Sequence, residues 1–421
     1  MNKSKYVIVF SHSNYLIKAS GTEKAIRDIA KISRKEGIHI LQIFSFYNKL
    51  TNKLSKKQYV GVNLDEHFLG IYYLSDILSL INKINNENNM NPIGIHIHHL
   101  LNYRMNELSE LISNLKLPTV LFIHDYFTIC KSENLINSDG QFCGFSFPSS
   151  TKCVECNFYN KARLKRKEIE IFLEKVSSSI RTIIVPSKFV YDRWTKLYNQ
   201  YSDKVIIRSH LSFEGEYHKE MISNRKIRIA FVGGQFINKG YNEWKDFIKT
   251  MKDYNEFYEF YYFGSGSEKV DGVKNIRVTT IKNGNDMTNA LRKYNIDYVF
   301  LWSMCAETYS YVYFEASAAD TCIITNPNSG NINTMVNENR NGIIFENING
   351  VSNFFKENIK SMEFIKEFNK NNKFRPFNCK INENIEGLIF KEINYKLELK
   401  SKSVKRKEFM TRLYERKNLK S

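Results

Sequence analysis

The chain has 421 residues, 42% of them hydrophobic, which is too long for one ordinary core and suits two domains. Its 62 basic and 44 acidic residues give a net charge of +18, which would suit nucleic acid, an anionic membrane surface or a phosphate-bearing substrate. A biased use of Lys, Asn and Ile would give the same total. No stretch approaches the roughly 18 apolar residues of a membrane span, and the apolar start is too short for a signal peptide. We therefore expect a cytoplasmic protein whose seven cysteines are reduced thiols or metal ligands.

Short apolar runs alternate with amphipathic helical stretches, which is the pattern of parallel sheets built from βαβ units. In the first half the predicted strands are 6–10, 38–44, 93–99, 119–124, 182–187 and 204–209, and the predicted helices are about 22–35, 74–86, 103–115, 161–180 and 188–199. The second half has predicted strands at 227–234, 258–264, 275–280, 297–302, 321–326 and 341–346. The sequence therefore predicts two α/β domains, with no obvious repeat between them.

The predicted domains join near 210–226, where the sequence becomes polar. We assign 1–210 to an N-terminal domain and 211–380 to a C-terminal domain. The tail, 381–421, is predicted to be helical and is increasingly basic. We expect its first part, about 381–398, to pack back toward the N-terminal domain. The last twenty residues could lie on an anionic membrane or form a solvated helix.

The stretch KASGTEKAIRDIAKI, residues 18–32, predicts a helix whose start is open to a ligand. Ser20 and Glu23 form a capping-box pattern, and Gly21 leaves the opening turn without a side chain. The first N–H groups of a helix are unpaired and favour phosphate. A capped helix that binds nothing is the alternative.

A second helix start lies in AFVGGQFINKGYNEW, residues 230–244. The predicted strand ends at Gly233 and Gly234, and Lys239 stands directly before Gly240, which opens the helix. A lysine beside a glycine turn at this point suits a diphosphate. The alternative is a plain strand–helix turn with a surface lysine. The stretch is not a Walker motif, because it lacks the required glycine and lysine spacing.

The stretch CAETYSYVYFEASAAD, residues 305–320, contains two glutamates eight positions apart. If a helix begins between Thr308 and Ser310, Glu307 lies at its mouth and Glu315 lies about two turns inside, among apolar side chains. A buried carboxylate needs a partner, because its desolvation costs several kcal/mol. A ribose diol would supply one, as in dinucleotide folds. A neighbouring Lys or Arg is the alternative.

Histidines gather at the ends of two predicted strands. In HDYFTIC, residues 124–130, His124 stands at the carboxyl end of a strand, where open α/β sheets hold their ligands. His96, His98 and His99 crowd the end of the preceding strand. For each of them, a structural histidine satisfied by hydrogen bonds is the alternative to a functional role.

Four cysteines fall within one loop: Cys130, Cys143, Cys153 and Cys156. The last two form a C-x2-C knuckle, and four thiolates suit a structural, tetrahedral zinc site. Such a site would not be catalytic, because four thiolates leave no open coordination position. Loose thiols and disulfides are the alternatives, and disulfides are disfavoured in the cytoplasm.

Several motifs do not occur in this sequence. No D-x-D pair stands at a strand end to hold a metal-bound nucleotide diphosphate, so we expect no catalytic metal. Serine-hydrolase and metalloprotease patterns are missing as well. Because no RNA-reading pattern occurs either, we expect no nucleic-acid partner.

Together, these motifs resemble the retaining glycosyltransferases of family 4, in the subset with a four-cysteine loop. The most specific element is the E-x7-E spacing within ETYSYVYFEASAAD. The supporting stretches, in chain order, are SGTEKA, HIHHLLNY, HDYFTIC, IVPSKFV and FVGGQFINKG. The resemblance covers nearly the whole chain, and the order of the motifs strengthens it.

This resemblance implies the GT-B fold, in which two Rossmann-like βαβ domains face a central cleft. It implies transfer of a sugar from a UDP- or GDP-linked donor, with retained configuration and without a catalytic metal. The donor would bind the second domain, and a glycan or lipid-linked acceptor would bind the first. The family's habits further imply cell-surface polysaccharide synthesis, with the enzyme peripheral on the inner face of the plasma membrane.

The resemblance also assigns roles to residues. The implied donor-binding residues are Glu315, Lys239, Gly21, Gly234, Thr308, Ser310 and Tyr311, and Glu307 and His124 are implied at the reaction centre. Glu315 would hold the ribose hydroxyls and Glu307 would contact the transferred sugar. Lys239 would neutralise the diphosphate, the Gly21 turn would close over it, and His124 would reach the sugar.

One position departs from the family pattern. Gly234 stands where many members carry an arginine, so a second positive charge must come from elsewhere, with Arg208 and Lys188 as candidates. The alternative function is therefore a catalytically inactive GT-B protein that binds a nucleotide or a partner.

Overall fold

The computed structural model describes residues 3–18, 20–46, 57–144, 151–219, 225–278, 286–389 and 404–418. The first sheet has strands β1 Ser4–Ser11, β2 Ile38–Ser45, β3 Tyr59–Leu64, β4 His67–Tyr73, β5 Met90–Ile97, β6 Thr119–Phe122, β7 Ile180–Val185 and β8 Val205–Ile207, in the order β4-β3-β2-β1-β5-β6-β7-β8. Its helices are α1 Gly21–Lys35, α2 Ile77–Glu87, α3 Met105–Leu115, α4 Thr151–Val154, α5 Tyr159–Val176 and α6 Lys188–Leu197. Strands β2, β1, β5, β6, β7 and β8 run parallel, and β3 and β4 add an antiparallel hairpin at the edge.

The second sheet is parallel throughout. Its strands are β10 Ile227–Val232, β11 Tyr258–Gly264, β12 Val273–Arg277, β13 Tyr298–Phe300, β14 Cys322–Thr325 and β15 Gly342–Ile344, in the order β12-β11-β10-β13-β14-β15. Its helices are α7 Tyr241–Thr250, α8 Asp286–Lys293, α9 Tyr311–Ala318, α10 Asn331–Asn339, α11 Ile348–Lys356 and α12 Asn358–Asn371. The apolar runs of β10, β11, β13 and β14 form strands that are buried on both faces, as is typical of parallel sheets covered by helices, whereas the edge strands β12 and β15 are more exposed.

The structure adds strands that the sequence did not predict. The hairpin β3–β4 turns at Asp65, whose backbone is left-handed and whose carboxylate accepts the N–H of Ile40. Strand β9, Leu211–Glu216, pairs antiparallel with β16, Pro376–Ile381, in a separate two-stranded sheet. Strands β9 and β16 lie far apart in sequence, so local periodicity does not reveal that they pair.

The chain returns to the first sheet after β16. The guanidinium of Arg208 donates to the carbonyl oxygens of Asn382 and Asn384, at 2.5 and 2.9 Å. Leu388 is fully buried within a cluster on the first sheet, and its carbonyl oxygen lies 2.8 Å from Nε2 of His96. Residues 382–389 are loop and turn rather than the predicted helix, and the rest of 381–398 lies outside the described residues.

The tail ends in helix α13, Glu408–Asn418, which packs on the hairpin edge of the first sheet. The hydroxyl of Thr411 accepts the N–H of Ile71 at 2.9 Å, and the N–H of Lys407 donates to the carbonyl of Ile71 at 2.8 Å. Tyr414 is buried against Phe44. Within the described residues, no helix combines the length and the apolar character needed to cross a membrane.

We predict that Leu388→Ala lowers the free energy of unfolding by about 2–4 kcal/mol, because it opens a cavity among residues that pack tightly on the first sheet. Urea denaturation measures the change. Leu164→Ala, at a side chain that is 64% exposed, serves as the control and should change the free energy by less than about 0.5 kcal/mol. If the two substitutions changed the free energy of unfolding equally, residues 382–389 would not anchor the tail to the first sheet.

Candidate functional site

A cavity of about 310 Å³ lies between the two large sheets, where the carboxyl ends of their parallel strands meet. Among the predicted site residues, its lining includes Gly21, His124, Lys239, Glu307, Thr308 and Tyr311. It also includes His99, which the sequence analysis named among the strand-end histidines, and His12, Asp125 and His210, which it did not name as site residues. The predicted residues Gly234, Ser310 and Glu315 do not line it. The structure therefore brings six of the nine predicted donor-site and reaction-centre residues to one cavity.

Lys239 and Glu307 form an ion pair at the cavity, with 2.5 Å between Nζ and Oε1. Gly240 makes this position of Lys239 possible: its φ is +80°, and a Cβ there would lie 2.0 Å from the carbonyl oxygen of Trp302. The hydroxyl of Ser303 also donates to Oε1, at 2.7 Å. The hydrogen bonds that the described residues make to the Glu307 carboxylate all end on Oε1.

Glu315 lies in α9, with 1% of its surface exposed, and it pairs with a lysine of the other sheet's domain. Nζ of Lys24, on α1, lies 3.2 Å from Oε1 of Glu315 and 4.0 Å from the centre of the Tyr311 ring. Ser310 caps α9, because its hydroxyl accepts the N–H of Tyr313 at 3.2 Å. The buried carboxylate thus has a protein counter-charge, and its role toward a ribose stays a prediction.

The start of α1 opens into the cavity at Gly21. A Cβ added at Gly21 would meet no atom within 4 Å, so the first turn is accessible from the cavity. The predicted capping box is not formed as expected, because the Ser20 side chain does not cap the backbone. Instead, the hydroxyls of Ser20 and Ser13 both donate to the carboxylate of Glu23, which is fully buried.

His124 belongs to a column of stacked rings that runs through the cavity wall. Its Nε2 lies 2.9 Å from Nδ1 of His98, and its ring stacks on His98 and His210 with centroids 5.1 and 5.5 Å apart. His210 stacks in turn on Tyr311. Burial lowers the pKa of His124 to about 4, so the imidazole is neutral near pH 7 and offers hydrogen bonds rather than charge.

Among the described residues, His99, Asp125 and Glu133 form the one set of three side chains whose metal-ligand atoms lie within 4.8 Å of one another. The donor chemistry does not fit a metal ion well. Nδ1 of His99 accepts the N–H of Leu101 at 3.0 Å, so the ring proton is on Nε2, which donates to Asp125 at 2.8 Å. A metal on Nε2 would leave an imidazolate, so we interpret this group as a hydrogen-bonded pair beside the cavity.

The four loop cysteines are half-buried free thiols: Cys130, Cys143, Cys153 and Cys156. Burial raises the pKa of Cys130; a backbone hydrogen bond at Ser132 opposes this shift, and the thiols of Cys143, Cys153 and Cys156 add to it. A tetrahedral zinc site would bring the sulfur atoms to about 3.8 Å, and no three of these described thiols come within 4.8 Å of one another. The ligand types suit zinc, but the spacing is wider than in a zinc site, so zinc stays a prediction.

Gly234, which departs from the pattern of the glycosyltransferases that the sequence resembles, lies against another side chain. A Cβ at Gly234 would lie 2.3 Å from a ring carbon of Phe236, so Phe236 occupies the space of a side chain at this position. Arg208 donates to backbone carbonyls of the tail, and Lys188 pairs with Asp192 at the surface. Neither cation lines the cavity.

Solved structures with the same architecture supply the comparison. Sucrose-phosphate synthase from Thermosynechococcus elongatus aligns over 89% of this chain and 95% of its own, with 11% identity and a TM-score of 0.57. Anabaena HepE in complex with UDP-glucose aligns over 87% and 93%, with 12% identity and a TM-score of 0.51. A mutant of S. aureus TarM, in complex with fondaparinux, alpha-GlcNAc-glycerol and UDP, aligns over 88% and 97%, with 10% identity and a TM-score of 0.51.

The chain has the GT-B fold. Two Rossmann-like α/β domains face a cleft, as the sequence predicted. No protein family matches the sequence, and no curated protein matches it either. At sequence identities of 10–12%, the likeness to these glycosyltransferase structures establishes the fold of the chain and nothing further.

Sequence reasoning missed several residues of the GT-B cleft. His12 follows β1 directly, so the strand-end rule that singled out His124 would have found it. Asp125 stands next to His124, and it had the same signal. Lys24 and His210 had no local signal, because each meets the site only through packing against α9 or His124.

We predict that buried histidines make the GT-B chain acid-sensitive. Burial lowers the pKa of His96 to about 4, with Arg208 acting in the same direction, although the Leu388 carbonyl opposes it. Because this value lies below the ordinary 6.5, the unfolded chain binds more protons between pH 6.5 and 4, and stability falls as the pH falls. His96→Gln should remove about 2 kcal/mol of the difference in unfolding free energy between pH 7 and pH 5.

Urea denaturation at both pH values measures this difference, and His218→Gln, at an exposed histidine, is the matched control. The readout is the change between pH values, so a uniform loss of stability in His96→Gln does not affect it. An unchanged pH dependence in His96→Gln would contradict the assignment.

Proposed function

We propose that this chain is a glycosyltransferase that moves a sugar from a nucleotide-sugar donor to a hydroxyl acceptor, with retained configuration. The observation that carries the proposal is the cavity in the GT-B cleft, where the Gly21 turn, His124 and the Lys239–Glu307 pair meet. A UDP-linked donor is favoured, since HepE is described in complex with UDP-glucose and a TarM mutant in complex with UDP.

Lys239 and Glu307 would act together on the donor. An ammonium group has three N–H donors, and Glu307 takes one of them, so two are left for the oxygens of a diphosphate. Oε2 of Glu307 would accept hydroxyl hydrogen bonds from the transferred sugar, because the contacts with Lys239 and Ser303 end on Oε1. Thr308 would hold His124 in place, since its hydroxyl donates to the carbonyl of His124 at 2.5 Å.

Glu315 would bind the ribose by exchanging one partner for another. Its carboxylate pairs with Lys24 across the boundary between the domains. When the domains separate, Lys24 would move away with α1, and the two ribose hydroxyls would replace its charge-assisted contact. A carboxylate that is already buried and oriented would lose little further freedom on binding.

The transfer itself needs no dedicated base. The acceptor hydroxyl oxygen would form the new bond to the anomeric carbon on the same face from which the diphosphate leaves, as the bond between that carbon and the phosphate oxygen breaks. The departing phosphate oxygen would take the hydroxyl proton. Lys239 would stabilise the charge that develops on the diphosphate, and closure of the domains would exclude water. Because the sequence has no D-x-D pair, we propose that this transfer is metal-independent.

We further propose a glycan or lipid-linked acceptor in the first domain and a place in cell-surface polysaccharide synthesis, on the inner face of the membrane. The basic tail supports this proposal, because α13 carries Arg412, Arg416 and Lys417. An anionic membrane surface attracts such a segment.

A binding protein without turnover is the second candidate. It is favoured by the two ion pairs, because Glu307 and Glu315 both have lysine partners, and by the side-chain-free position at Gly234. Release of UDP from UDP-glucose and of the nucleotide diphosphate from a panel of other donors separates the two candidates. We expect release by the wild-type chain and a loss of at least roughly 100-fold in Glu307→Gln, because the sugar and Lys239 lose a charged partner.

The matched control is Glu338→Gln, at an exposed carboxylate on α10, which should release the diphosphate at the wild-type rate. Tight nucleotide binding without release from any donor would favour the binding protein instead.

Calorimetric titration with UDP tests the role of Glu315. Two hydroxyl hydrogen bonds to a charged group are involved, so Glu315→Ala should weaken binding by about 10- to 100-fold. Lys24→Ala should bind UDP at least as tightly as wild type, because Lys24 competes with the ribose for the carboxylate. If Glu315 is only a structural ion-pair partner, both substitutions destabilise the fold and leave the affinity for UDP unchanged.

A further inference from the structure

A second cavity, of about 500 Å³, lies beside the first on the N-terminal domain. The loop after β1 and the end of β2 form one side of it, and α13 of the tail forms the other. The residues that matter here are His12, Lys18, Phe46, Tyr414 and Lys417, all of which line it. The side formed by α13 belongs to the tail and not to either of the two large GT-B sheets.

The wall from α13 is firmly built. The ring of Tyr414 packs on Phe44 and Phe46, with centroids 5.6 and 5.9 Å away, and on Phe68 at 4.9 Å. Its hydroxyl oxygen accepts the side-chain N–H of Asn14 at 3.0 Å, so its own proton is directed elsewhere. A cavity with aromatic surface and a few fixed polar groups is the usual form of a small-molecule site.

The cavity also carries unneutralised positive charge. Lys18 and Lys417 both line it and are both exposed, and none of the carboxylates in the described part of the chain forms an ion pair with either of them. The two amines come from segments that lie about 400 residues apart in sequence, so only the docking of α13 brings them to one cavity. Two such cations favour an anionic ligand, with phosphate or carboxylate as the group that they would bind.

His12 joins the two cavities, because it lines both of them. Its Nε2 lies 3.4 Å from the Glu23 carboxylate, and its buried Nδ1 has no hydrogen-bond partner among the described residues. Its backbone carbonyl accepts the hydroxyl of Ser45 at 2.9 Å, which fixes it to the end of β2. A ligand in the second cavity could therefore reach past His12 toward Lys239 and Glu307.

We propose that the second cavity binds the acceptor of the proposed transfer and that this acceptor is an anionic sugar or polyol, held through its phosphate or carboxylate by Lys18 and Lys417. The acceptor's ring or chain packs on Phe46 and Tyr414, and its free hydroxyl points past His12 into the cleft. This inference rests on the proposed function. It adds the charge of the acceptor and makes the tail helix part of the substrate site.

Binding in the absence of any nucleotide sugar tests the inference separately from transfer. The probes are glucose 6-phosphate and, as its neutral match, glucose, titrated into the full chain and followed by saturation-transfer NMR. We expect glucose 6-phosphate to bind roughly tenfold or more tightly than glucose, and the double variant Lys18→Glu, Lys417→Glu to lose this preference.

The control variant is Arg412→Glu. Like Lys417→Glu, it replaces a positive charge on α13 by a negative one, but at an exposed position that does not line the cavity. It should keep the preference for glucose 6-phosphate. The melting temperature of each variant shows whether it is folded, and the single variant Lys417→Glu, at an exposed position near the chain end, replaces the double variant if that one unfolds.

Equal binding of the two probes, or equal loss in the Arg412 control, would overturn the inference. A parallel titration with vesicles of phosphatidylglycerol and phosphatidylcholine identifies a lipid surface as the source of the anion. Vesicle binding that depends on Lys18 and Lys417, without binding of glucose 6-phosphate, would also overturn it and would assign these lysines to membrane contact. Because these titrations contain no nucleotide-sugar donor, their outcome does not depend on the outcome of the diphosphate-release test.

Discussion

A carboxylate that is buried must have a counter-charge or a full set of donors, and this requirement governs how the two domains meet. Glu315 is buried in α9, and the group beside it is the ammonium of Lys24, which belongs to α1 of the other domain. Removing one partner of such a pair costs far more than the pair contributes, because the other charge is left buried. The cleft is therefore closed by an interaction that either domain alone would lack.

The same requirement gives the cleft its chemistry. Glu307 is held by Lys239 and Ser303, so both charges are oriented before any ligand arrives. A ligand that carries phosphate and hydroxyl groups is the natural competitor for these contacts, because it offers the same opposite charges and donors in one molecule. The histidine column contributes hydrogen bonds without adding charge, since burial keeps His98, His124 and His210 neutral. Lys239 is the one lysine or arginine among the described residues that line the cavity.

The tail couples the site to the edge of the first sheet. After β16 the chain is bound by Arg208, buries Leu388 on the first sheet, and reappears as α13 at the hairpin edge. Docking of Tyr414 among phenylalanine rings turns a terminal basic segment into the wall of a cavity. Part of the chain's net charge of +18 is thereby placed at one defined site, the second cavity.

The sequence by itself determined the alternation of strands and helices, the two parallel sheets, the strand end at His124 and the helix starts near Gly21, Lys239 and Glu307. These features follow from local periodicity and from the rule that ligands meet the carboxyl ends of parallel strands. Only the tertiary structure decided the antiparallel additions β3–β4 and β9–β16, the wall formed by α13 and the partner of each buried charge. Lys24 and Glu315 are 291 residues apart in the chain, and ion pairing depends on distance in space, which local sequence does not encode.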